Sequence, residues 1–442
     1  MTGAHGYSEY ATHLRELTTA ATSGRSGLRH HLLASIDGEA SEQLRRLVPL
    51  DYRRQVGAFF TPAALKQRVS GILNSDAYSE RYLDPACGSG DLLLAASQAL
   101  PIQGSLKETL EDWTDRLHGW DINSDFVEAA RSRLVIAALL RHDHQVQNER
   151  FNLNTSKYFA NISTKDGLEA LKRQKAFVGH IVLNPPFSVV SSTSSQSWTS
   201  RPTSAAALFT YLAAHHLTDG SHLTAILPDV LRSGSRYTSW RTQMNSILMR
   251  SSLEIYGQFD EHADVDVFLL SAKIVRGHLS ESSTAWWDVD SSAKEIFHSV
   301  NDFFSVRVGT VVDNRDPLDG PEFPFARARD LPSHGVISTP SRRRRFTRRV
   351  FEPPFVLVRR TSRPSTAQQQ PRLAGVLING REPVAVDNHL IVASPRDGRA
   401  ESCQALLEVL SSPATSEWLN NRIRCRHLTV GAVREIPWSH PN

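Results

Sequence analysis

The chain contains little cysteine and no long hydrophobic run. Its three cysteines, Cys87, Cys403 and Cys425, are too few and too scattered to predict a disulfide framework or a zinc site, so we expect no metal centre. No stretch of about 18 apolar residues is present, and the N-terminus lacks an apolar signal region. The sequence therefore predicts a cytoplasmic protein without a membrane span.

Charge is also close to balance. The 442 residues include 50 Lys and Arg against 46 Asp and Glu, a formal net charge of +4. A mildly basic chain is compatible with nucleic-acid binding but does not demand it. The hydrophobic content of 40% supports the cores of two or three domains, and no cluster of acidic and Lys residues typical of a nuclease is visible.

One strand-ending motif carries most of the chemistry. Residues His180–Leu183 predict a buried strand, and a pair of prolines stops it. The strand is followed by an amide, two rigid rings and an aromatic ring: Asn184, Pro185, Pro186 and Phe187. Because ligands of open α/β sheets bind at this edge, the motif suits an amino group on a planar base. An ordinary strand-ending turn is the alternative interpretation of Asn-Pro-Pro.

A glycine-rich turn follows an earlier apolar strand. The segment from Tyr82 to Leu93 predicts a strand, a turn containing Gly88 and Gly90, and a helix that runs to about Leu100. Glycines allow the backbone to approach a ligand, and the helix N-terminus favours its anionic end. The carboxylate of Asp84 at the strand end suits a cationic amino-acid group.

Two further acids occupy comparable positions. Asp121 ends a predicted strand, before a helix from Ser124, and can accept hydrogen bonds from ribose hydroxyls. We expect a third strand near 151–153. Asp166 then either faces an adenine amino group or lies in a solvent-exposed turn. Upstream, Thr61-Pro62 predicts the start of a helix that ends near Leu73.

Strands and helices alternate from about residue 80 to 275, which predicts an α/β fold with a doubly wound, Rossmann-like sheet. Within it we expect helices at 205–217 and 237–250, strands at 222–227 and 265–274, and a mobile loop at 188–204. A short helical region at 1–50 precedes this domain of residues 51–276. An α+β region, 277–442, follows, with predicted strands at 306–312 and 355–358 and a helix at 402–410.

The C-terminal region contains a dense arginine run. Six arginines lie within eight residues, and Arg359, Arg360 and Arg363 continue the positive charge. Such a run can be a solvated face, a dock for an acidic protein, or a surface that binds phosphates. We expect it to bind duplex DNA, which would dock between this region and the α/β domain. The six are Arg342, Arg343, Arg344, Arg345, Arg348 and Arg349.

In this order, the motifs resemble those of the γ class of DNA adenine N6-methyltransferases, in particular type I modification subunits and the methyltransferase part of fused restriction–modification enzymes. Gly57–Pro62 is similar to the most N-terminal motif of that class, and Asp84–Gly90 matches its Asp-Pro-Ala-Cys-Gly-Ser-Gly loop. Asn184–Phe187 is similar to its catalytic motif. The resemblance covers residues 50–275 well, the C-terminal third loosely and the first 50 residues hardly at all.

The resemblance implies a site-specific DNA methyltransferase that transfers the methyl group of S-adenosylmethionine to a flipped adenine. Catalysis would involve Asn184, Pro185, Pro186 and Phe187. A nuclease or specificity subunit is an implied partner, besides double-stranded DNA. The implied cofactor-binding residues are Phe60, Thr61, Pro62, Asp84, Pro85, Ala86, Gly88, Gly90, Asp121, Ile122 and Asp166.

Other interpretations of the same motifs remain open. The substrate could be RNA or a protein glutamine, because Asn-Pro-Pro motifs occur in enzymes of both kinds. The chain could also be a DNA-binding subunit of a defence complex. Methylation of cytosine C5 is excluded, because that reaction needs a cysteine after a proline and no Pro-Cys dipeptide occurs.

Overall fold

The computed structural model describes residues 7–75, 81–142, 157–191, 198–199, 202–263, 265–277, 286, 298–362, 371–424 and 428–438. The chain forms two compact units. The first comprises Met1–Leu231 and Ser239–Thr284, and the second comprises Arg232–Thr238 and Ala285–Asn442. The N-terminal helices therefore belong to the same unit as the α/β sheet.

The first unit begins with helices that cover one side of the sheet domain. Helix α4 is followed by Gly57, whose φ of +71° is the left-handed conformation common after a helix C-terminus. The bounds are α1 (Tyr7–Thr22), α2 (Arg29–Ile36), α3 (Glu39–Leu47), α4 (Leu50–Val56) and α5 (Ala63–Ser75).

The strands of the first unit form one seven-stranded sheet and one short pair. The strands are β1 (Tyr82–Asp84), β2 (Leu117–Asp121), β3 (Ile162–Thr164), β4 (His180–Leu183), β5 (Val189–Val190), β6 (Thr203–Ser204), β7 (His222–Pro228), β8 (Leu248–Gln258) and β9 (Asp266–Ile274). The large sheet has the order β3-β2-β1-β4-β7-β9-β8, and β5 pairs with β6.

The first five strands of that order are parallel. Strand β9 pairs antiparallel with both β7 and β8, so β8 runs in the same direction as the first five. Strands β1 and β4 are buried throughout, as expected for parallel strands whose two faces are covered by helices. The strand order reverses between β1 and β4, which is where doubly wound sheets bind ligands. The predicted fold class is confirmed.

Helices connect these strands. Helix α8 has a well-defined start, because the Asn123 side chain accepts hydrogen bonds from the backbone N–H groups of Asp125 and Phe126. The bounds are α6 (Asp91–Ala99), α7 (Leu106–Arg116), α8 (Ser124–Arg141), α9 (Gly167–Arg173), α10 (Ala205–His216), α11 (Asp229–Ser233) and α12 (Thr238–Asn245), with a 3-10 turn at Ser235–Tyr237.

The structure differs from two of the local predictions, and a third lies outside the described residues. The strand expected near 151–153 lies outside the described residues, and the strand beside β2 is β3. The helix expected at 237–250 is too long, because α12 ends at Asn245 and Leu248 already pairs with Ile274 in the sheet. The loop expected at 188–204 begins and ends in the antiparallel pair β5–β6.

The second unit is an α+β structure. Its five-stranded sheet has the order β10-β17-β14-β15-β12, and a three-stranded sheet has the order β13-β11-β16. The strands are β10 (Phe304–Val308), β11 (Glu322–Ala326), β12 (Gly335–Ile337), β13 (Arg343–Arg345), β14 (Phe355–Arg359), β15 (Gly375–Ile378), β16 (Ala385–Val386) and β17 (Leu390–Pro395). The helices are α13 (Val300–Phe303), α14 (Ala400–Ser411), α15 (Pro413–Arg422) and α16 (Val430–Arg434), with a 3-10 turn at Ala328–Asp330.

A fully buried arginine ties the N-terminal helices to the glycine-rich turn. Arg133 of α8 donates to the carbonyl oxygen of Ser35 in α2 at 2.7 Å and to that of Ser89 at 2.6 Å. It also forms an ion pair with Asp91, at the first position of α6, at 2.8 Å. Because both charges are removed from water, each depends on the other for its solvation.

Replacing Arg133 should therefore strongly destabilise the first unit. We expect Arg133→Met to lower the free energy of unfolding by about 3–5 kcal/mol, because it leaves the Asp91 charge buried and unpaired. The control Arg15→Met removes an exposed pair with Glu128 and should lower it by less than about 1 kcal/mol. Urea denaturation followed by circular dichroism measures both, and equal shifts would contradict the prediction.

Candidate active site

A cavity of about 330 Å³ opens at the carboxyl ends of β1, β2 and β4. Backbone and side chains from all three strand ends contribute to its wall, together with the segment before α5. The lining residues are Tyr52, Gly57, Ala58, Phe59, Phe60, Pro85, Ala86, Gly88, Asp121, Ile122, Asn123, Phe126, Asp166, Gly167, Leu168, Asn184, Pro186, Ser188, Val190, Ala205 and Phe209.

Asp84 lies at the end of β1, in a small recess that it lines together with Thr61 and Asn184. One carboxylate oxygen accepts a hydrogen bond from the backbone N–H of Ala86 at 3.0 Å. Burial raises the pKa of the Asp84 carboxyl to about 8, and the nearby Asp121 adds to that rise. A positive charge placed in this recess would favour the ionised form of Asp84.

The two glycines after β1 meet different requirements. Gly88 has a φ of +50°, and a Cβ atom there would lie 2.9 Å from Cε1 of Phe60. Gly90 has a φ of +87°, and a Cβ atom there would lie 3.0 Å from that of Ala130 in α8. Gly88 therefore lets the turn pass under the Phe60 ring, and Gly90 lets α6 start against α8.

Asp121 at the end of β2 fixes the glycine-rich turn. Its two carboxylate oxygens accept hydrogen bonds from the backbone N–H of Gly88 at 3.0 Å and from that of Asn123 at 2.9 Å. Burial raises the pKa of Asp121 to about 6. Next to it, the side chain of Ile122 is 68% exposed on the cavity wall. This apolar surface is available to a flat ring.

Asp166 also lines the cavity and is the N-cap residue of α9. Its side chain accepts hydrogen bonds from the backbone N–H groups of Leu168 and Glu169, so it caps the helix. A Cβ atom at Gly167 would lie 1.8 Å from the carbonyl oxygen of Pro85. Only glycine allows this close approach between α9 and the loop after β1.

Asn184 after β4 has a defined amide orientation. Its Nδ2 donates to the carbonyl oxygen of Phe59 at 3.3 Å and to Oγ1 of Thr61 at 3.0 Å. A backbone carbonyl only accepts, so the nitrogen of the amide must be the atom that faces Phe59. The side-chain Oδ1 is therefore left as an acceptor for a ligand.

The remaining residues of the motif differ in position. Pro186 lines the cavity, and a Cβ atom at Gly57 would lie 2.4 Å from the Cβ of Pro186, so the two segments are in close contact. Pro185 is buried. The Phe187 ring packs edge-on against Phe259, with centroids 5.3 Å apart, and does not line the cavity.

The structure brings most of the predicted cofactor residues together. Pro62 and Gly90 line neither the cavity nor the recess beside Asp84. Several wall residues were not singled out from the sequence. The sequence could have indicated Asn123 as a helix cap. No local sequence pattern identifies the aromatic and small residues that distant elements contribute to the wall. The additional residues include Tyr52, Phe59, Asn123, Phe126, Ser188, Val190, Ala205 and Phe209.

In the second unit, the arginine run is largely paired with acids from elsewhere in the chain. Arg344 is buried and bonds Asp313 at 2.6 Å, so its guanidinium cannot contact a phosphate and we withdraw it from the predicted DNA-binding set. Sequence alone could not show this, because Asp313 is 31 residues away. The other ion pairs are Arg342 with Asp330, Arg343 with Glu322 and Glu382, and Arg348 with Asp316.

The continuing arginines also have structural roles. Arg359 donates to three carbonyl oxygens, those of Ala328, Leu331 and Pro332. Arg363 lies outside the described residues. Arg345 and Arg349 are exposed, and neither has a carboxylate partner in the part of the chain that the structure describes.

The described residues contain neither a candidate membrane-spanning helix nor a candidate metal-binding cluster. None of their helices has the length and apolar character needed to cross a membrane. They also contain no group of three or more His, Cys, Asp or Glu arranged to hold a metal ion.

Comparisons with known proteins agree with this geometry. Residues 36–244 match the family model of N-6 DNA methylases. The fold is similar to that of the type IIL restriction–modification enzyme MmeI in complex with DNA, with a TM-score of 0.57 and 13% identity over 91% of this chain and 71% of that chain. A type I methyltransferase subunit from Streptococcus thermophilus is 18% identical, with a TM-score of 0.34 over 50% of this chain.

The alignment covers 45% of the Streptococcus thermophilus subunit, so this chain spans about half of its length. At these identities the solved structures are evidence of the fold alone. The family match covers the N-terminal helices from α3, the glycine-rich turn, both acids at strand ends and the Asn184 motif. Over residues 36–244, just under half of its length, the chain is therefore similar to the N-6 DNA methylases.

Proposed function

We propose that this chain is a site-specific DNA methyltransferase that transfers a methyl group from S-adenosylmethionine to the N6 amino group of a flipped adenine, within a restriction–modification or phage-defence system. The observation that carries the proposal is the fixed amide of Asn184. Its nitrogen is held by Phe59 and Thr61, which leaves its oxygen as an acceptor beside a cavity of the size of a small ligand.

The residues of the cavity fit S-adenosylmethionine. Asp84, whose pKa is raised in the absence of a cation, suits the ammonium group of the cofactor. The carboxylate of Asp121 can still accept from ribose hydroxyls, because each of its oxygens has a second lone pair. The exposed side chain of Ile122 provides an apolar surface for the adenine ring. Asp166 lies on the same wall and can accept from the adenine amino group.

The sulfonium group of S-adenosylmethionine supplies an electrophilic methyl group. The protein must supply a better nucleophile, because the lone pair of an aromatic amine is delocalised into the ring. Asn184 Oδ1 and the carbonyl oxygen of Pro185 would accept hydrogen bonds from the target amine and draw it towards tetrahedral geometry. Both groups sit on rigid backbone after β4, so positioning contributes much of the catalysis.

A base within a duplex cannot reach such a cavity, so the target adenine must leave the stack. Phe187 is the ring of the motif that would stack on it, a contact worth roughly 1–3 kcal/mol per base. Its ring stands nearly perpendicular to that of Phe259, at an interplanar angle of 89°. Its neighbours in sequence on either side, Pro186 and Ser188, line the cavity.

Duplex DNA also needs contacts to its phosphates, which we assign to Arg345 and Arg349 of the second unit. These are the exposed arginines of the run that no carboxylate neutralises among the described residues. A nuclease or specificity subunit remains a proposed partner, by analogy with type I systems.

Changing Asn184 should abolish methyl transfer without abolishing cofactor binding. We expect Asn184→Ala to reduce N6-methyladenine, measured by nucleoside mass spectrometry of DNA from expressing cells, by at least about 100-fold. The affinity for S-adenosylmethionine should stay within a few-fold of the wild type. Methylated RNA or methylated protein glutamine in place of N6-methyladenine would show that the substrate assignment is wrong.

Cofactor affinity should depend on pH through Asp84. A carboxyl with a pKa of about 8 is mostly protonated at neutral pH, and a bound ammonium group favours its ionised form. Binding should therefore release a proton, and the Kd should fall as the pH rises from about 6.5 to 8.5, then level off. Calorimetry in two buffers of different ionisation enthalpy measures the proton directly. The control Asp84→Asn should bind weakly at every pH in this range, and an unchanged pH profile would contradict the assignment.

DNA binding should respond to the unpaired arginines more than to the paired ones. Arg345→Ala combined with Arg349→Ala should lower the slope of log affinity against log salt concentration by about 1.8, because each phosphate contact contributes about 0.9. All DNA sequences should be weakened about equally. The control Arg343→Ala removes a cation already paired with two glutamates and should change the slope less. A loss of sequence discrimination would instead mean that these residues contact bases.

A further inference from the structure

The first helix reaches the wall of the cavity through one buried ring. Tyr7, in the first turn of α1, is 0% exposed. Its ring lies edge-on to Phe126, with centroids 4.9 Å apart, and to Phe60, with centroids 5.7 Å apart. Phe60 and Phe126 also meet edge-on at 5.0 Å. The three rings therefore form a closed triangle, in which each ring is held by the other two.

Two members of this triangle belong to the cofactor site. Phe60 and Phe126 both line the cavity, and the Phe60 ring lies directly on the turn at Gly88. Tyr7 itself does not line the cavity. It contacts two rings of the wall without being part of the cavity lining itself. Any shift of Tyr7 would be transmitted to the wall and to the glycine-rich turn.

The N-terminal helices support the same turn at a second point. The carbonyl oxygen of Ser35, in α2, accepts from Arg133, which also binds Ser89 and Asp91 on either side of Gly90. The turn is thus held through the Phe60 ring from one direction and through a guanidinium group from another. N-terminal helices that only covered the α/β domain would not need these two connections to the glycine-rich turn.

We propose that Tyr7 is a positioning residue for the cofactor, and that α1 is an integral part of the cofactor site. Tyr7 holds Phe60 and Phe126 in the orientation that shapes the cavity around Gly88. This inference rests on the proposed function, because it takes S-adenosylmethionine as the ligand. It assigns a role to the part of the chain that the family resemblance hardly covers.

The chain offers a matched control on the same helix. Tyr10 is 4% exposed, and its ring lies 5.4 Å from that of Tyr7. It makes no aromatic contact with Phe60 or Phe126 among the described residues. Tyr10→Leu therefore removes a buried ring of equal size without touching the wall. Tyr7→Phe keeps the ring and removes only the hydroxyl, which donates to the carbonyl oxygen of Ala40 at 3.4 Å.

The test compares binding of S-adenosylhomocysteine by calorimetry to the wild type and the three variants. We expect Tyr7→Leu to raise the Kd about tenfold, because it removes two edge-to-face contacts of the wall. Tyr10→Leu and Tyr7→Phe should stay within about twofold of the wild type. In methylation assays, Tyr7→Leu should raise the KM for the cofactor and leave the KM for DNA unchanged. If Tyr7→Leu does not fold, Tyr7→Met, paired with Tyr10→Met, makes the same comparison.

Three results separate the alternatives. A wild-type protein that does not bind S-adenosylhomocysteine would overturn the proposed function, and this inference with it. Normal wild-type binding with an unchanged Kd in Tyr7→Leu would overturn the inference alone. An equal loss of affinity in Tyr7→Leu and Tyr10→Leu, in proportion to their thermal stabilities, would show that Tyr7 acts only through the stability of α1.

Discussion

The hydrogen bonds from Asn184 Nδ2 to Phe59 and Thr61 are the interaction on which the site depends. They join the end of β4 to a segment more than 120 residues earlier in the chain. They also decide which atom of the amide is offered to a ligand. The same two segments also approach closely at Gly57, because a glycine has no side chain that would clash with Pro186. Contacts with a distant segment, rather than the motif alone, therefore fix the orientation of the Asn184 amide.

The buried charges of the first unit fall into two groups with opposite consequences. Arg133 and Asp91 neutralise one another and are solvated by backbone carbonyls, so they stabilise the fold around the turn. Asp84 is buried and Asp121 half-buried, neither has a cationic partner among the described residues, and the pKa values of their carboxyls are raised to about 8 and about 6. Uncompensated acids at adjacent strand ends are typical of a binding site, because a ligand can supply the missing charge and donors.

Much of the α/β unit was predictable from sequence, because its signals are local. The buried strands β1 and β4, the turn with Gly88 and the acids at strand ends all follow from short patterns. The predictions failed where the partner was distant in sequence. Residues 248 and 249 looked helical because their pairing with β9 could not be seen in the sequence. Likewise, no local pattern indicates that Phe209 reaches the cavity or that Phe187 packs on Phe259.

The arginine run shows why charge density in a sequence is a poor measure of charge available to a ligand. Strand β13 alternates its side chains, so Arg343 and Arg345 face one way and Arg344 faces the interior. An interior guanidinium must be paired, and Asp313 supplies the partner. The acids that pair with the exposed members come from β11, from the segments on either side of it and, in the case of Glu382, from the loop before β16. Ion pairs formed in the folded chain decide which arginines remain available to phosphates. A surface that binds DNA is therefore identified by its unpaired cations and not by the length of the arginine run.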